Sequence, residues 1–265
     1  MHKKRIISKA YEDPDFLSSR EARSLRILSE YLMPLTRFEK MRVKDTIVFF
    51  GSARIPAPAQ AKAERARLTA LGNFGEMEQR RFDLKMRYYK DAVRLSYQLT
   101  RWSKSLPADT RRFLICSGGG PGIMEAANRG AAHARGLSVG MNISLPFEQD
   151  PNPYITQSLN FDFHYFFMRK FWLTNMAKAL IAFPGGFGTF DELFEILTLV
   201  QTRKVEKRLP IIVYGKEYWE DIIDLKAIAD WHMIAHDDLK YVHICDSVDD
   251  AFEFLTKSLT EIYLS

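Results

Sequence analysis

Short runs of β-branched and aromatic residues alternate along the chain with longer stretches that mix apolar and charged residues, the pattern of strands alternating with helices. Thr46-Ile47-Val48-Phe49-Phe50 is almost wholly apolar, so both of its faces need cover. It reads as a buried parallel strand running into Gly51-Ser52-Ala53-Arg54. Residues 61 to about 104 are rich in Ala, Arg, Leu, Glu and Lys, and Gly72 and Gly75 divide them into two helices. Phe113-Leu114-Ile115-Cys116 is the next strand, followed by a helix from Ile123 to about Arg135. Further strands are predicted at Ser138 to Ile143, Lys178 to Phe183, Pro210 to Tyr214 and, shorter, Tyr241 to Cys245. Phe161, Phe163 and Tyr165 alternate like a strand before a helical stretch that Arg169-Lys170 opens. This order predicts an α/β fold with a mainly parallel sheet and helices on both faces. Ligands of such sheets sit beyond the carboxyl ends of the strands.

The first 45 residues follow another pattern. Residues 1 to 17 are polar, and Asp13-Pro14-Asp15 is expected to break any helix, leaving an arm. Ser18 and Glu21 have the spacing of a capping box, and Leu25, Leu28 and Leu32 give an apolar stripe that Pro34 is expected to stop. The chain therefore divides into an N-terminal arm and helix, 1–45, and a core domain, 46–265.

Composition narrows the class without changing it. The 265 residues are 46% hydrophobic and 27% charged, as in ordinary globular proteins. A chain of this size buries roughly three quarters of its unfolded surface and needs no disulfide staple. Cys116 and Cys245 each lie in an apolar run and read as buried thiols of a reducing compartment. Met1 to Ser8 is charged with no apolar run behind it, and no stretch reaches the roughly 18 apolar residues of a membrane span, so a cytoplasmic protein is expected. The net charge of +5 is spread along the chain and favours small anionic ligands. Arg80, Arg81, Lys85 and Arg87 alternate with acidic residues and read as a solvated helix face rather than a nucleic-acid surface.

The candidate chemistry lies in three small-residue turns that follow strands: Gly51-Ser52, Gly118-Gly119-Gly120-Pro121-Gly122, and Pro184-Gly185-Gly186-Phe187-Gly188-Thr189. Glycine lets backbone N–H groups approach an anion closely, and a following helix adds partial positive charge. Ile123 stands where a dinucleotide fingerprint needs its third glycine, and no P-loop is present. A smaller phosphate ligand fits better. Thr189 and Glu192 have capping-box spacing, which places Asp191 and Glu192 in the first turn of a helix, where the dipole keeps a carboxylate ionised. An ionised carboxylate beside a phosphate cradle suits the positive charge that develops on a sugar during glycosidic cleavage. Arg169 offers a planar fork for phosphate or carboxylate and Lys170 a point charge, within an aromatic segment of which most belongs to a core. His232 and His236 have the spacing of a zinc pair, but without the glutamate of His-Glu-x-x-His they read as a solvated helix.

Ser117-Gly118-Gly119-Gly120-Pro121-Gly122-Ile123-Met124-Glu125 together with Pro184-Gly185-Gly186-Phe187-Gly188-Thr189-Phe190-Asp191-Glu192 resembles the LOG (Lonely Guy) family, long mislabelled lysine decarboxylases. The resemblance runs from about Thr46 to Tyr263. It implies a Rossmann-like fold, a homodimer or higher assembly, and hydrolysis of nucleoside 5′-monophosphates to free base and ribose 5-phosphate, with no metal or organic cofactor. By the same resemblance Glu192 and Arg169 are catalytic, and Lys170, Gly185, Gly186, Gly188, Thr189 and Thr198 hold substrate. Glu125 and Asp191 join them, with Gly51, Ser52, Gly118, Gly119, Gly120 and Gly122 from the other turns. Short plant-type members carry Met-His-x-Arg-Lys where this chain has Phe166-Phe167-Met168-Arg169-Lys170, which resembles the larger bacterial branch. A cytokinin riboside monophosphate and AMP are both open as substrates. The rival readings are a non-catalytic nucleotide sensor, which would keep the glycine turns without needing both Arg169 and Glu192, and true lysine decarboxylation, for which no lysine sits in a pyridoxal phosphate motif.

Overall fold

The computed structural model describes residues 9–72, 74–107, 109, 111–144 and 150–264, and the segment Met1 to Ser8 lies outside them. The core is a seven-stranded sheet in the order β4-β3-β2-β1-β5-β6-β7, with every neighbouring pair parallel. Its strands are β1 (Thr46–Phe50), β2 (Leu114–Ser117), β3 (Ser138–Ile143), β4 (Asn160–Phe163), β5 (Ala177–Ala182), β6 (Ile211–Tyr214) and β7 (Val242–Cys245). The helices are α1 (Pro14–Ser18), α2 (Arg23–Lys40), α3 (Pro58–Ala70), α4 (Glu76–Ser105), α5 (Ile123–His133), α6 (Phe166–Met176), α7 (Phe187–Gln201), α8 (Lys216–Ile222), α9 (Leu225–Asp230) and α10 (Val248–Tyr263).

Successive residues of β1 serve opposite faces, as the pleat requires. Ile47 and Phe49 join Tyr89, Leu95, Ala127 and Leu255 under α4, α5 and α10. Val48 and Phe50 join Trp172, Leu193 and Trp219 under α6, α7 and α8. Each fully buried side chain of this kind contributes about 1.5–3 kcal/mol, so a central strand apolar on both faces is fixed in place from two sides. Strands β2 to β4 extend the sheet to one side of β1 and β5 to β7 to the other. The order of the connections therefore reverses between β1 and β5, and the crevice at their carboxyl ends is where such sheets bind ligands.

The N-terminal segment differs from expectation at two prolines. Asp13 and Pro14 start α1 rather than break it, because proline costs nothing at the first helical position and the Asp13 carboxylate accepts from the Asp15 and Phe16 amides. Ser18 and Glu21 form no capping box: Ala22 is the N-cap of α2, and the Ser19 hydroxyl accepts from its amide. Pro34 does not stop α2, which continues to Lys40. Proline cannot donate to the Glu30 carbonyl one turn back; the Trp172 indole N–H donates there instead, at 3.0 Å.

That contact belongs to a larger join. The Glu30 carboxylate accepts from the His164 and Tyr165 amides, capping the start of α6, and Arg37 donates to the Asn160 carbonyl. Thus α2 braces α6. His232 and His236 do not share a helix, since α9 ends at Asp230, His232 has φ of 60°, and His236 begins a 3-10 turn. Among the described residues no helix is long and apolar enough to cross a membrane.

Candidate active site

The three turns meet above the carboxyl ends of β1, β2 and β5. The Ser52 amide donates to the Pro184 carbonyl, and the Ser52 carbonyl accepts from the Ile123 amide. The Ser52 hydroxyl accepts from the Arg54 amide. The short Gly51-Ser52 turn is thus the tie between the two longer ones, and its own N–H is spent within the protein. Gly122 has φ of 72°, and a Cβ there would run into the Ser52 carbonyl, so glycine is required on both counts.

Buried asparagines hold the second turn from beneath. Asn152 Nδ2 donates to the Gly119 carbonyl at 2.9 Å, to the Gly120 carbonyl at 3.1 Å and to Asn128 Oδ1 at 3.0 Å. Asn128 Oδ1 also accepts from the Ser117 hydroxyl, which in turn accepts from the Gly119 amide. The Gly119 and Gly120 carbonyls are thus turned inward onto a satisfied network, and the Gly119 amide is spent there as well. Both α5 and α7 begin without a side-chain cap. Positions Gly186 and Gly188 at the start of α7 face open space, and Phe187 between them is 95% exposed.

Arg169, on α6, reaches across to this floor. Its Nε donates to the Met141 carbonyl of β3 at 2.8 Å, and its Nη1 donates to Glu192 Oε1 at 2.5 Å. Nη2 lies so close to Gly118 that a Cβ there would stand 2.5 Å from it. Both side chains of the ion pair are about nine-tenths buried. Burial pushes the Glu192 carboxyl above the usual carboxylate range, against the pull of the Arg169 guanidinium. The sequence-based source of its charge is corrected: α7 starts at Phe187 with Gly186 as N-cap, so Glu192 falls in the second turn, beyond the reach of the dipole. Thr189 makes no capping box; it is buried, with its hydroxyl against Gly185.

Lys170 Nζ donates to Asp191 at 2.8 Å and lies 3.2 Å from Glu195 Oε2. Burial works against its charge, but these carboxylates outweigh that and raise the amine above its usual value. A second ion-pair layer between α6 and α7 therefore stands beside the first. Thr198 lies farther along α7, exposed, with its hydroxyl donating to the Phe194 carbonyl. Glu125 does not join the Arg169 cluster; it accepts from the Tyr89 hydroxyl of α4 at 2.8 Å. The aromatic segment divides: Phe161, Phe163, Tyr165 and Trp172 are core, while Phe166 and Phe167 are half exposed. Asn128 and Asn152 were missed by sequence reasoning. The asparagines carry no local signal, since their partners are remote in sequence.

A family model described as "Possible lysine decarboxylase" matches residues 124–255, a span that includes Arg169, Lys170, the Pro184 to Thr189 turn and Glu192. Over 152 residues the chain is 30% identical to the pyrimidine/purine nucleotide 5′-monophosphate nucleosidase of Escherichia coli (strain K12). That alignment covers 54% of this chain and 33% of the nucleosidase, so the chain spans about a third of the length of the curated relative. The solved structure of a molybdenum cofactor binding protein from the phototrophic bacterium Rippkaea orientalis superimposes with a TM-score of 0.50 at 18% identity, covering 82% of this chain and 98% of the other. That likeness is one of fold.

Proposed function

Because the chain belongs to the LOG family, long described as possible lysine decarboxylases, we propose that it hydrolyses the N-glycosidic bond of a nucleoside 5′-monophosphate, releasing free base and ribose 5-phosphate. The observation that carries the reading is the buried Arg169–Glu192 pair set against the Gly118 turn, with the open start of α7 alongside. Amides of the glycine turns hold the 5′-phosphate and convert remote binding energy into orientation of the sugar. Glu192 faces the anomeric carbon and stabilises its positive charge as the C–N bond breaks. The bond pair leaves with the base, which takes up a proton, and water supplies the new C–O bond. Arg169 is a positioning residue that holds Glu192 and, through Nη2, the edge of the phosphate turn. Lys170 engages the substrate by exchanging one of its two carboxylate partners.

The chemistry named by the family description is not supported by this site. A lysine that forms a Schiff base needs an unprotonated amine, whereas Lys170 is held as a cation by Asp191 and Glu195. We extend the reading to a homo-oligomer, since Leu25, Leu28 and Leu32 form an exposed stripe on α2 beside the exposed Phe171. Light scattering tests that part.

A panel of nucleoside 5′-monophosphates, with AMP and a cytokinin riboside monophosphate among them, is incubated with purified protein and analysed for free base by chromatography. Base is expected from at least one member, with most turnover lost in Glu192→Gln and Arg169→Ala. Saturable nucleotide binding with no base released at high enzyme concentration would establish a non-catalytic binding protein instead.

A further inference from the structure

We propose that His243, Cys245 and Asp250 bind one divalent transition-metal ion of the zinc type, which fastens strand β7 to helix α10. Among the described residues these three form a cluster of potential ligand atoms that all lie within 4.8 Å of one another. β7 is the last strand of the sheet and pairs on one side only, with β6. His243 and Cys245 are two residues apart, so they share the face turned to α10, while Ile244 between them is exposed on the other. Asp250 stands in the first turn of α10, its amide donating to the Ser247 cap.

The geometry is partly set. The His243 ring stacks on Phe254 with centroids 4.2 Å apart and planes 8° apart, which fixes the imidazole and aims Nε2 at Asp250. Nε2 lies 3.2 and 3.3 Å from the two carboxylate oxygens. Two ligands bonded at about 2.0 Å and separated by a tetrahedral angle stand about 3.3 Å apart, so this edge of the coordination shell is present before any ion enters. The thiol of Cys245 lies within 4.8 Å of both other ligand atoms, and the exposed Asp250 carboxylate is free to turn toward an ion held between them.

The donor set selects the ion. One imidazole nitrogen, one thiolate and one carboxylate suit zinc and its neighbours, whereas calcium and magnesium take oxygen shells. A thiolate and a carboxylate beside a neutral imidazole carry two negative charges, which a divalent cation cancels. Neighbouring charges do not compete for the site: Asp246 pairs with Arg87 and Asp249 with Arg94. Asp250 and His243 are open enough to admit the ion and to leave its fourth position to water.

The test uses the full chain, stripped with a chelator and titrated with zinc ion alone against a chromogenic competitor, and with cobalt(II) as a spectroscopic probe. One equivalent per chain is expected, with a thiolate-to-cobalt charge-transfer band that survives in Cys116→Ser and is absent in Cys245→Ser. Asp250→Asn, at an exposed position, is expected to weaken zinc binding by more than the ~10-fold that loss of an outer partner costs. Zinc should raise the melting temperature of the wild type but not of Asp250→Asn, whose metal-free melting curve serves as the folding control. Binding of less than one equivalent, or binding unchanged by both Cys245→Ser and Asp250→Asn, would overturn the proposal; should Cys245→Ser fail to fold, Asp250→Asn decides.

Discussion

Gly118→Ala is the sharpest probe of the Arg169–Glu192 arrangement, because it adds one carbon and touches neither residue chemically. The new Cβ would stand 2.5 Å from Arg169 Nη2 and 2.7 Å from Met124 Sδ. Ordinary contact begins near 3.5 Å, so each neighbour must yield by about 1 Å. Met124 can, since its unbranched chain re-packs cheaply. Arg169 cannot, because Nε is bonded to the Met141 carbonyl and Nη1 to Glu192. The guanidinium must break one bond or carry Glu192 with it. A misplacement of about 1 Å costs on the order of 100-fold in rate, or ~2.7 kcal/mol of transition-state stabilisation. Gly118 is not among the glycines with positive φ, so alanine imposes no backbone strain; overpacking costs stability only about 1–3 kcal/mol. The assay is release of free base from the best nucleoside monophosphate, with a thermal melt beside it. A folded Gly118→Ala protein turning over within about 3-fold of wild type would show that the placement of Arg169 does not limit the chemistry.

Other outcomes follow from the same contacts. The acid limb of kcat/KM against pH is expected above the ordinary glutamate range, because burial of Glu192 outweighs the pull of Arg169, and Glu192→Gln should remove the limb with most of the activity. Stability runs the other way: the folded state holds that proton more tightly than the unfolded chain, so the contribution of Glu192 is full below about pH 4.3 and is lost as pH rises through the folded value. Melts across that range, wild type against Glu192→Gln, check the sign. Asn152→Ala strands the Gly120 carbonyl, while the Gly119 carbonyl keeps the Asn152 backbone amide; this should cost about 1–3 kcal/mol and raise KM more than it lowers kcat, as steady-state kinetics would show. Glu30→Ala uncaps α6 and should cost about 1 kcal/mol by thermal melt, with a fall in kcat although Glu30 lies outside the crevice.

The central strands were legible because each is an apolar run too continuous to face water, and β4 because its aromatics alternate. Thr46–Phe50 and Ser138–Ile143 match their sequence reading to the residue and most others to within about one, whereas β4, read through Tyr165, ends at Phe163 and leaves Tyr165 to cap α6. Prolines misled where a rule was applied without its context: Pro14 sits at the one helical position that tolerates it, and Pro34 is compensated by an indole remote in sequence. The capping box read at Thr189 failed because Gly186 had already started the helix. Arg169 and Glu192 stand out in the sequence as residue types beside glycine turns, but their mutual bond depends on how α6 and α7 cross the sheet. The asparagines under the second turn were invisible, since nothing local distinguishes Asn152 from a loop residue.

The tie made by Ser52 has a consequence for how the molecule comes to be. Its amide and carbonyl reach loops that follow β5 and β2, so the crevice has no local precursor anywhere along the chain. Closing such distant segments incurs entropy before any contact compensates for it. The sheet can therefore acquire its strands while the proposed nucleotide site is still unformed, and in refolding experiments the catalysis proposed for it should return later than secondary structure does.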